Sequence, residues 1–351
     1  MEVCGGMNGL KADSSGSFHN YLSKGCQICR MGAGLVLFVT GRCGRDCFYC
    51  PLSFDRKNLD SAYANERLVE QLEDILQEGR AIGALGTGIT GGEPLLKLDF
   101  VKECIRALKK EFGPAHHIHL YTGQIPDRDT LADLKEAGLD EIRLHPPLET
   151  WSNPVGLKEA LCEAISLGLL AGVEIPVLSH APKIIEAVKD AGAFLNLNEL
   201  EFSETNQARL RELGFVPSEN HYGALGSEEI AKEFTEDGLK VHFCTSRFKD
   251  AVQLRERLKR RASRVARPLD LLTEDGTLIH GIICGDLDVA QRALKDLGVP
   301  DDMYTSAGEG IDISAPILEE ISKELKGIGL NISIVERYPL EGGLVVERIS
   351  L

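Results

Sequence analysis

The chain has 351 residues, 43% of them hydrophobic and 26% charged, and carries a formal net charge of −15. That length buries a substantial core in one large domain or two unequal ones, and the acidic balance argues against general attraction to nucleic acid or anionic membrane. No apolar run approaches the roughly 20 residues of a membrane span, and the N-terminus "MEVCGGMNGLKADSSGSFHN" lacks the basic and apolar regions of an export signal, so a cytoplasmic protein is expected.

Residues 1–33 read as an N-terminal segment holding "KGCQICR", a C-x-x-C pair. From about 34 to 205 short apolar runs alternate with helical patterns: "GLVLFVTG", then the helix "NERLVEQLEDILQEGRAIG"; "GTGITGG", then "LDFVKECIRALKKEF"; "HIHLYTG", then "RDTLADLKEAG". "DEIRLHP", "LAGVEIPVL" and "FLNLNELEFSE" continue the series, with helices "GLKEALCEAISLG" and "APKIIEAVKDAG" between them. Six strand-plus-crossover units of this kind mark an α/β fold with parallel strands, either an open doubly wound sheet or a partial barrel. In both, ligands sit beyond the C-terminal ends of the strands. "GRCGRDCFYC" and "TGGEPLL" fall there, after the first and second strands.

The core is read as 34–240, followed by a basic helix over 241–267 with an apolar stripe at Ala251, Leu254, Leu258, Ala262 and Val265. Residues 268–351 read as a small accessory α+β domain that closes on the hairpin "NISIVERYPLEGGLVVERISL".

Ten cysteines in a reducing compartment point to metal binding or catalysis more than to disulfides. Cys104 and Cys162, inside amphipathic patterns, are expected to be small core hydrophobes. Cys43, Cys47 and Cys50 differ, because C-x3-C-x2-C on one loop offers three soft ligands for an iron–sulfur cluster or zinc. Zinc would need a fourth Cys or His nearby, and the following "PLSFDRK" supplies none. A cluster with one iron free can instead take an exogenous chelate.

"CGRDCFYC" after the first strand, with Tyr49 just before the last cysteine, and "GGEP" after the second together resemble the radical S-adenosylmethionine superfamily. The resemblance covers about residues 34–205. It implies a partial (β/α)6 barrel, a [4Fe-4S] cluster held by Cys43, Cys47 and Cys50, and S-adenosylmethionine as the chelate on the fourth iron. It further implies that Tyr49 lies near the adenine, while Gly91, Gly92 and Glu93 engage the methionine amino group. "LYTGQ" resembles the branch that activates glycyl-radical enzymes, where Thr122 and Gly123 would flank the cofactor. The whole chain looks like a group related to pyruvate formate-lyase activating enzymes. An electron donor such as ferredoxin or flavodoxin is expected. A phosphate-cradling role for "GTGITGG" is disfavoured, since the lysine and hydroxyl of a Walker A loop are missing.

Other constellations carry weaker signals. Cys26 and Cys29 are half of a zinc or auxiliary-cluster site, with Cys244, Cys4 and His242 as candidates to complete it; the second-metal expectation is Cys26, Cys29 and Cys244. His117 and His119 share one strand face and are read as core or second-layer histidines. Arg143 and His145 end the fourth strand and are candidates for a cofactor carboxylate or substrate. Glu174 is either a ribose contact or an ion-paired residue. Asn196, Asn198, Glu201 and Glu204 end the sixth strand as candidate substrate contacts.

Residues 247–267 hold nine basic and two acidic side chains. That patch is either a phosphate footprint for RNA or a helix face paired with acidic neighbours. The expected function is reductive cleavage of S-adenosylmethionine and hydrogen abstraction from a protein or RNA substrate. The rival is an electron-transfer or metal-binding protein that no longer cleaves the cofactor.

Overall fold

The computed structural model describes residues 9–219, 221–236, 238–308, 310–340 and 342–351, which places Cys4 outside the described residues. The chain forms two compact units. The first runs to Arg80 and resumes over Ala84–Leu254; the second comprises Ala81–Gly83 and Arg255–Leu351.

The first unit is built on one sheet. Its strands are β1 (Lys11–Ala12), β2 (Phe18–His19), β3 (Gly34–Phe38), β4 (Ala62–Ala64), β5 (Arg67–Val69), β6 (Gly86–Thr90), β7 (His117–Thr122), β8 (Glu141–Leu144), β9 (Leu170–Pro176), β10 (Phe194–Asn198) and β11 (Lys240–Cys244). β3, β6, β7, β8, β9, β10 and β11 lie side by side in sequence order, every pair parallel. Two antiparallel hairpins cover the edges: β1–β2 adds to β11, and β4–β5 adds to β3. This is the partial α/β barrel, and its strands read as near-continuous apolar runs because helices and barrel interior cover both faces.

The crossover helices bury one stripe each. In Leu98–Phe112 the stripe is Val101, Cys104, Ile105 and Leu108, four positions at i, i+3, i+4 and i+7. Gly138 and Gly192 end their helices in the left-handed conformation that a side chain disfavours.

Three expectations change. A seventh parallel strand exists where the basic helix was expected to begin: in "KVHFC" Val241 and Phe243 are fully buried, an alternation of period two that the neighbouring charge run obscured. The interval 241–267 is therefore not one helix but β11, a short helix Ser246–Phe248, a π-helical turn Lys249–Leu254 and the helix Arg255–Val265. Cys104 is buried as expected, but Cys162 is exposed, because the buried stripe of its helix passes through Leu157, Ala160, Leu161 and Ala164 instead.

The second unit is an α+β fold. β12 (Leu271–Leu272), β13 (Leu278–Cys284), β14 (Tyr304–Ala307), β15 (Gly310–Ile313), β16 (Asn331–Arg337) and β17 (Val345–Ser350) form one antiparallel sheet with β13 central. Ile283, Leu294, Ile311, Ile313, Leu318 and Leu325 make its core. Several cations of the former "basic patch" are spent inside this unit. Arg260 donates to the carbonyls of Ile82 and Gly83, buried Arg261 to that of Pro339, and Arg267 pairs with Asp270 and Asp312.

Candidate active site

The loop after β3 brings Cys43, Cys47 and Cys50 together, each half-buried. Its shape is set by backbone contacts with the loop after β6. Gly92 N donates to Thr40 O at 2.7 Å, and Glu93 N donates to Arg42 O at 2.9 Å. A Cβ on Gly91 would strike the Thr40 carbonyl oxygen, and one on Gly92 the Arg42 carbonyl oxygen. Only glycine lets the two chains approach this closely. The far end of the cysteine loop is held by the segment after β10: Asn206 Nδ2 donates to Tyr49 O at 3.1 Å, and Thr205 Oγ1 to Leu52 O at 2.6 Å.

Glu93 is buried and ties the second loop to the third. It accepts from Thr122 Oγ1 and Gly123 N, both at 2.8 Å, and from Leu95 N at 3.0 Å. Its partners in these bonds are a hydroxyl and two backbone amides, which satisfy the carboxylate and fix its direction.

Tyr49 and His145 meet at the same level. His145 Nδ1 lies 2.8 Å from Glu174 O, an acceptor only, so Nδ1 carries the proton and Nε2 accepts from the Tyr49 hydroxyl at 3.1 Å. Burial lowers the pKa of His145, and burial with the nearby Cys47 raises that of Tyr49, so both are neutral.

The opposite end of the barrel is plugged by helix α1 (Lys24–Arg30). Its entry rests on the fully buried Glu141, which accepts from Ser23 Oγ at 2.9 Å, Gly25 N at 3.2 Å and His117 Nε2 at 3.0 Å. Glu141 also pairs with Arg143 at 2.6 Å, and Arg143 pairs with Glu174 at 2.8 Å. Burial opposes the charge on Glu141, yet the Arg143 guanidinium and its other partners hold its carboxyl well below the usual range.

Arg143 further donates to Tyr121 Oη at 2.7 Å and Ser23 Oγ at 3.0 Å. The guanidinium is thus spent inside the barrel rather than left free for a cofactor carboxylate. Glu174 takes the ion-paired role and accepts from Asn196 and Asn198 at 2.9 and 2.8 Å. Glu201 pairs with Lys249 at 2.5 Å, and Glu204 accepts from Phe54 N at 2.9 Å. Sequence reasoning missed Glu141 and Lys249. The signal for Glu141 lay in "DEIRL", where two charges alternate on a strand that apolar neighbours should have lined.

One cavity of about 500 Å³ runs from Cys26 and Cys29 past Arg143 and Glu174 to Cys43, Cys47 and Cys50. Cys244 and His242 of β11 line it as well. Among the described residues no three His, Cys, Asp or Glu side chains are closed around a single ion, which applies to both cysteine groups. Cys43, Cys47 and Cys50, half-buried and lining one cavity, are the soft donor set that an iron–sulfur cluster takes.

A model of the radical S-adenosylmethionine superfamily matches residues 37–163, and one described as a domain of unknown function, DUF8061, matches 276–351. A protein of Methanocaldococcus jannaschii, MJ0021, provisionally named a glycyl-radical enzyme activating enzyme, is 39% identical over 94% of this chain and 93% of its own length. The crystal structure of Streptococcus suis SuiB bound to S-adenosylmethionine aligns with TM-score 0.41 and 14% identity, over 61% of this chain and 50% of that one. Methylornithine synthase (PylB) aligns with TM-score 0.39 and 14% identity, over 77% and 85%. The cysteine loop, the glycine contacts beside it and the full-length relative agree: the chain belongs to the radical S-adenosylmethionine enzymes, in the group related to pyruvate formate-lyase activating enzymes.

Proposed function

We propose that the chain abstracts hydrogen from a protein substrate, using a [4Fe-4S] cluster on Cys43, Cys47 and Cys50 and reduced by a donor such as ferredoxin or flavodoxin. The observation that carries the cofactor assignment is the locked pair of loops: three half-buried thiols beside the buried Glu93. When bound, cluster and S-adenosylmethionine supply a 5′-deoxyadenosyl radical by reductive cleavage of a carbon–sulfur bond. The residues of the chain position that chemistry. Glu93 offers its carboxylate to the methionine ammonium. The Gly91 and Gly92 backbone shapes the cleft, Thr122 and Gly123 fix Glu93, and Tyr49, oriented by His145, lines the adenine side. Arg143 acts as a positioning residue that holds the barrel interior.

A protein substrate is favoured over RNA by the provisional name of the M. jannaschii relative. The internal commitment of Lys249, Arg260, Arg261 and Arg267 removes much of the support for a phosphate footprint. The test is release of 5′-deoxyadenosine by the anaerobically reconstituted protein under reductant, with and without bulk tRNA. Release indifferent to tRNA is expected. Stimulation by tRNA that disappears at high salt would replace the protein substrate with RNA. No release, with the cluster intact, would leave an electron-transfer or metal-binding protein.

A further inference from the structure

Cys26, Cys29 and Cys244 are separated by more than two hundred residues between the first and last, yet they line one cavity with His242. Register shows how. On β10 and β11, Asn196 stands beside His242 and Asn198 beside Cys244. Asn196 Nδ2 lies 3.4 Å from Cys26 Sγ, so helix α1 brings its first cysteine up to the strand pair that carries Cys244. Cys29 follows one turn later on the same helix face. His242 and Cys244, two residues apart on β11, share a side of the strand.

His242 supplies an independent sign of a missing partner. It is 4% exposed, and among the described residues neither of its ring nitrogens has a hydrogen-bond partner. An imidazole carries one donor and one acceptor when neutral, and leaving both unmet in the interior is costly enough to be rare. Beside its carboxylate partners Arg143 also reaches a sulfur, with Nη2 3.5 Å from Cys26 Sγ, and Lys249, paired with Glu201, lines the same cavity.

We infer that the barrel interior above helix α1 holds a second metal centre, the floor cluster: an iron–sulfur cluster ligated by Cys26, Cys29 and Cys244 with His242 available to a further iron. A zinc ion would need its sulfurs about 3.8 Å apart, from tetrahedral bonds of about 2.3 Å. Among the described residues no three His, Cys, Asp or Glu side chains form such a group. Three thiols and an imidazole on one cavity wall are instead the soft donor set that an iron–sulfur cluster takes. The floor cluster faces the cavity through which the first cluster acts, rather than the solvent.

The experiment replaces Cys43, Cys47 and Cys50 with alanine and reconstitutes the full chain anaerobically with ferrous iron and sulfide. Iron, acid-labile sulfide and the Mössbauer spectrum are then measured. Roughly half of the parent's iron should remain, in cluster form, and it should vanish when Cys26→Ala and Cys244→Ala are added. A folded triple variant that binds no iron overturns the inference, as does one that takes up a single zinc in place of iron and sulfide. Should the triple variant fail to fold, Cys244→Ala alone decides: iron and sulfide per chain fall by about half if the floor cluster exists, and are unchanged if it does not. A parent protein that keeps the floor iron yet releases no 5′-deoxyadenosine would sink the proposed function and leave this inference standing.

Discussion

The mouth and the floor of the barrel are built by opposite means. At the mouth the cysteine loop is held by main-chain hydrogen bonds from Gly92 and Glu93, and its sulfurs remain half-open. At the floor a short helix is held by side-chain charge: Glu141, Arg143 and Glu174 form a chain of ion pairs inside the protein. A backbone clamp is tolerant of side-chain change but intolerant of a single added Cβ. A buried charge network shows the reverse weakness, since removing one member strands the others.

The largest effect should come from the mouth. In Cys43→Ala the release of 5′-deoxyadenosine is expected to drop to background. Retained turnover would mean that the first cluster is held elsewhere.

Next comes the floor. Arg143→Met leaves Glu141 and Glu174 buried without their cation and should cost about 3–5 kcal/mol of stability, read from chemical denaturation. A loss below about 1 kcal/mol would show that water enters the floor freely, which would erase the contrast between the two ends.

Gly92→Ala sharpens the comparison from the other side. Its methyl group meets the Arg42 carbonyl, so a shift of the cysteine loop costing about 1–3 kcal/mol is expected. It should appear as iron lost during gel filtration, with little change in the melting of the barrel. Unchanged iron retention would show that the clamp yields without strain.

The smallest effect is a baseline away from both ends. Buried His116, bonded to Thr87 Oγ1 at 2.8 Å, has its pKa lowered to about 4, by burial first and then by Lys109. Its unfolded value is near 6.5, so between the two the unfolded chain binds the extra proton. The contribution is complete above about pH 6.5 and declines as the pH falls towards 4, by up to about 1.4 kcal/mol per pH unit. His116→Gln should flatten that part of the stability curve; an unaltered slope would assign the titration to other groups.

What could be read from the sequence follows the same divide. The mouth was legible because its chemistry is contiguous: Cys43 to Cys50 lie on one loop, and Gly91 to Glu93 on the next, each placed by a strand with a clear apolar pattern. The floor was only half legible. Cys26 and Cys29 stood out as a pair, whereas their neighbours Glu141, Asn196 and His242 come from separate strands whose register no local pattern encodes. Arg143 was noticed, but its position at a strand end suggested a free guanidinium, and only the packing of α1 against Glu141 shows it occupied. The seventh strand was hidden because its five residues run straight into a charged stretch that drew the helical reading across them.

The two edge hairpins have a consequence for entry. β2 pairs with His242 and Phe243 on the outer edge of β11, and β4 with Leu37 and Phe38 on that of β3, so each outermost parallel strand already has an antiparallel partner where a closing ladder would form. A closed ring would have to break ladder bonds to admit a polypeptide loop from the side. Among the described residues no ladder joins β1 to β5, the two ends of the sheet, so the wall is interrupted there without any pairing to undo.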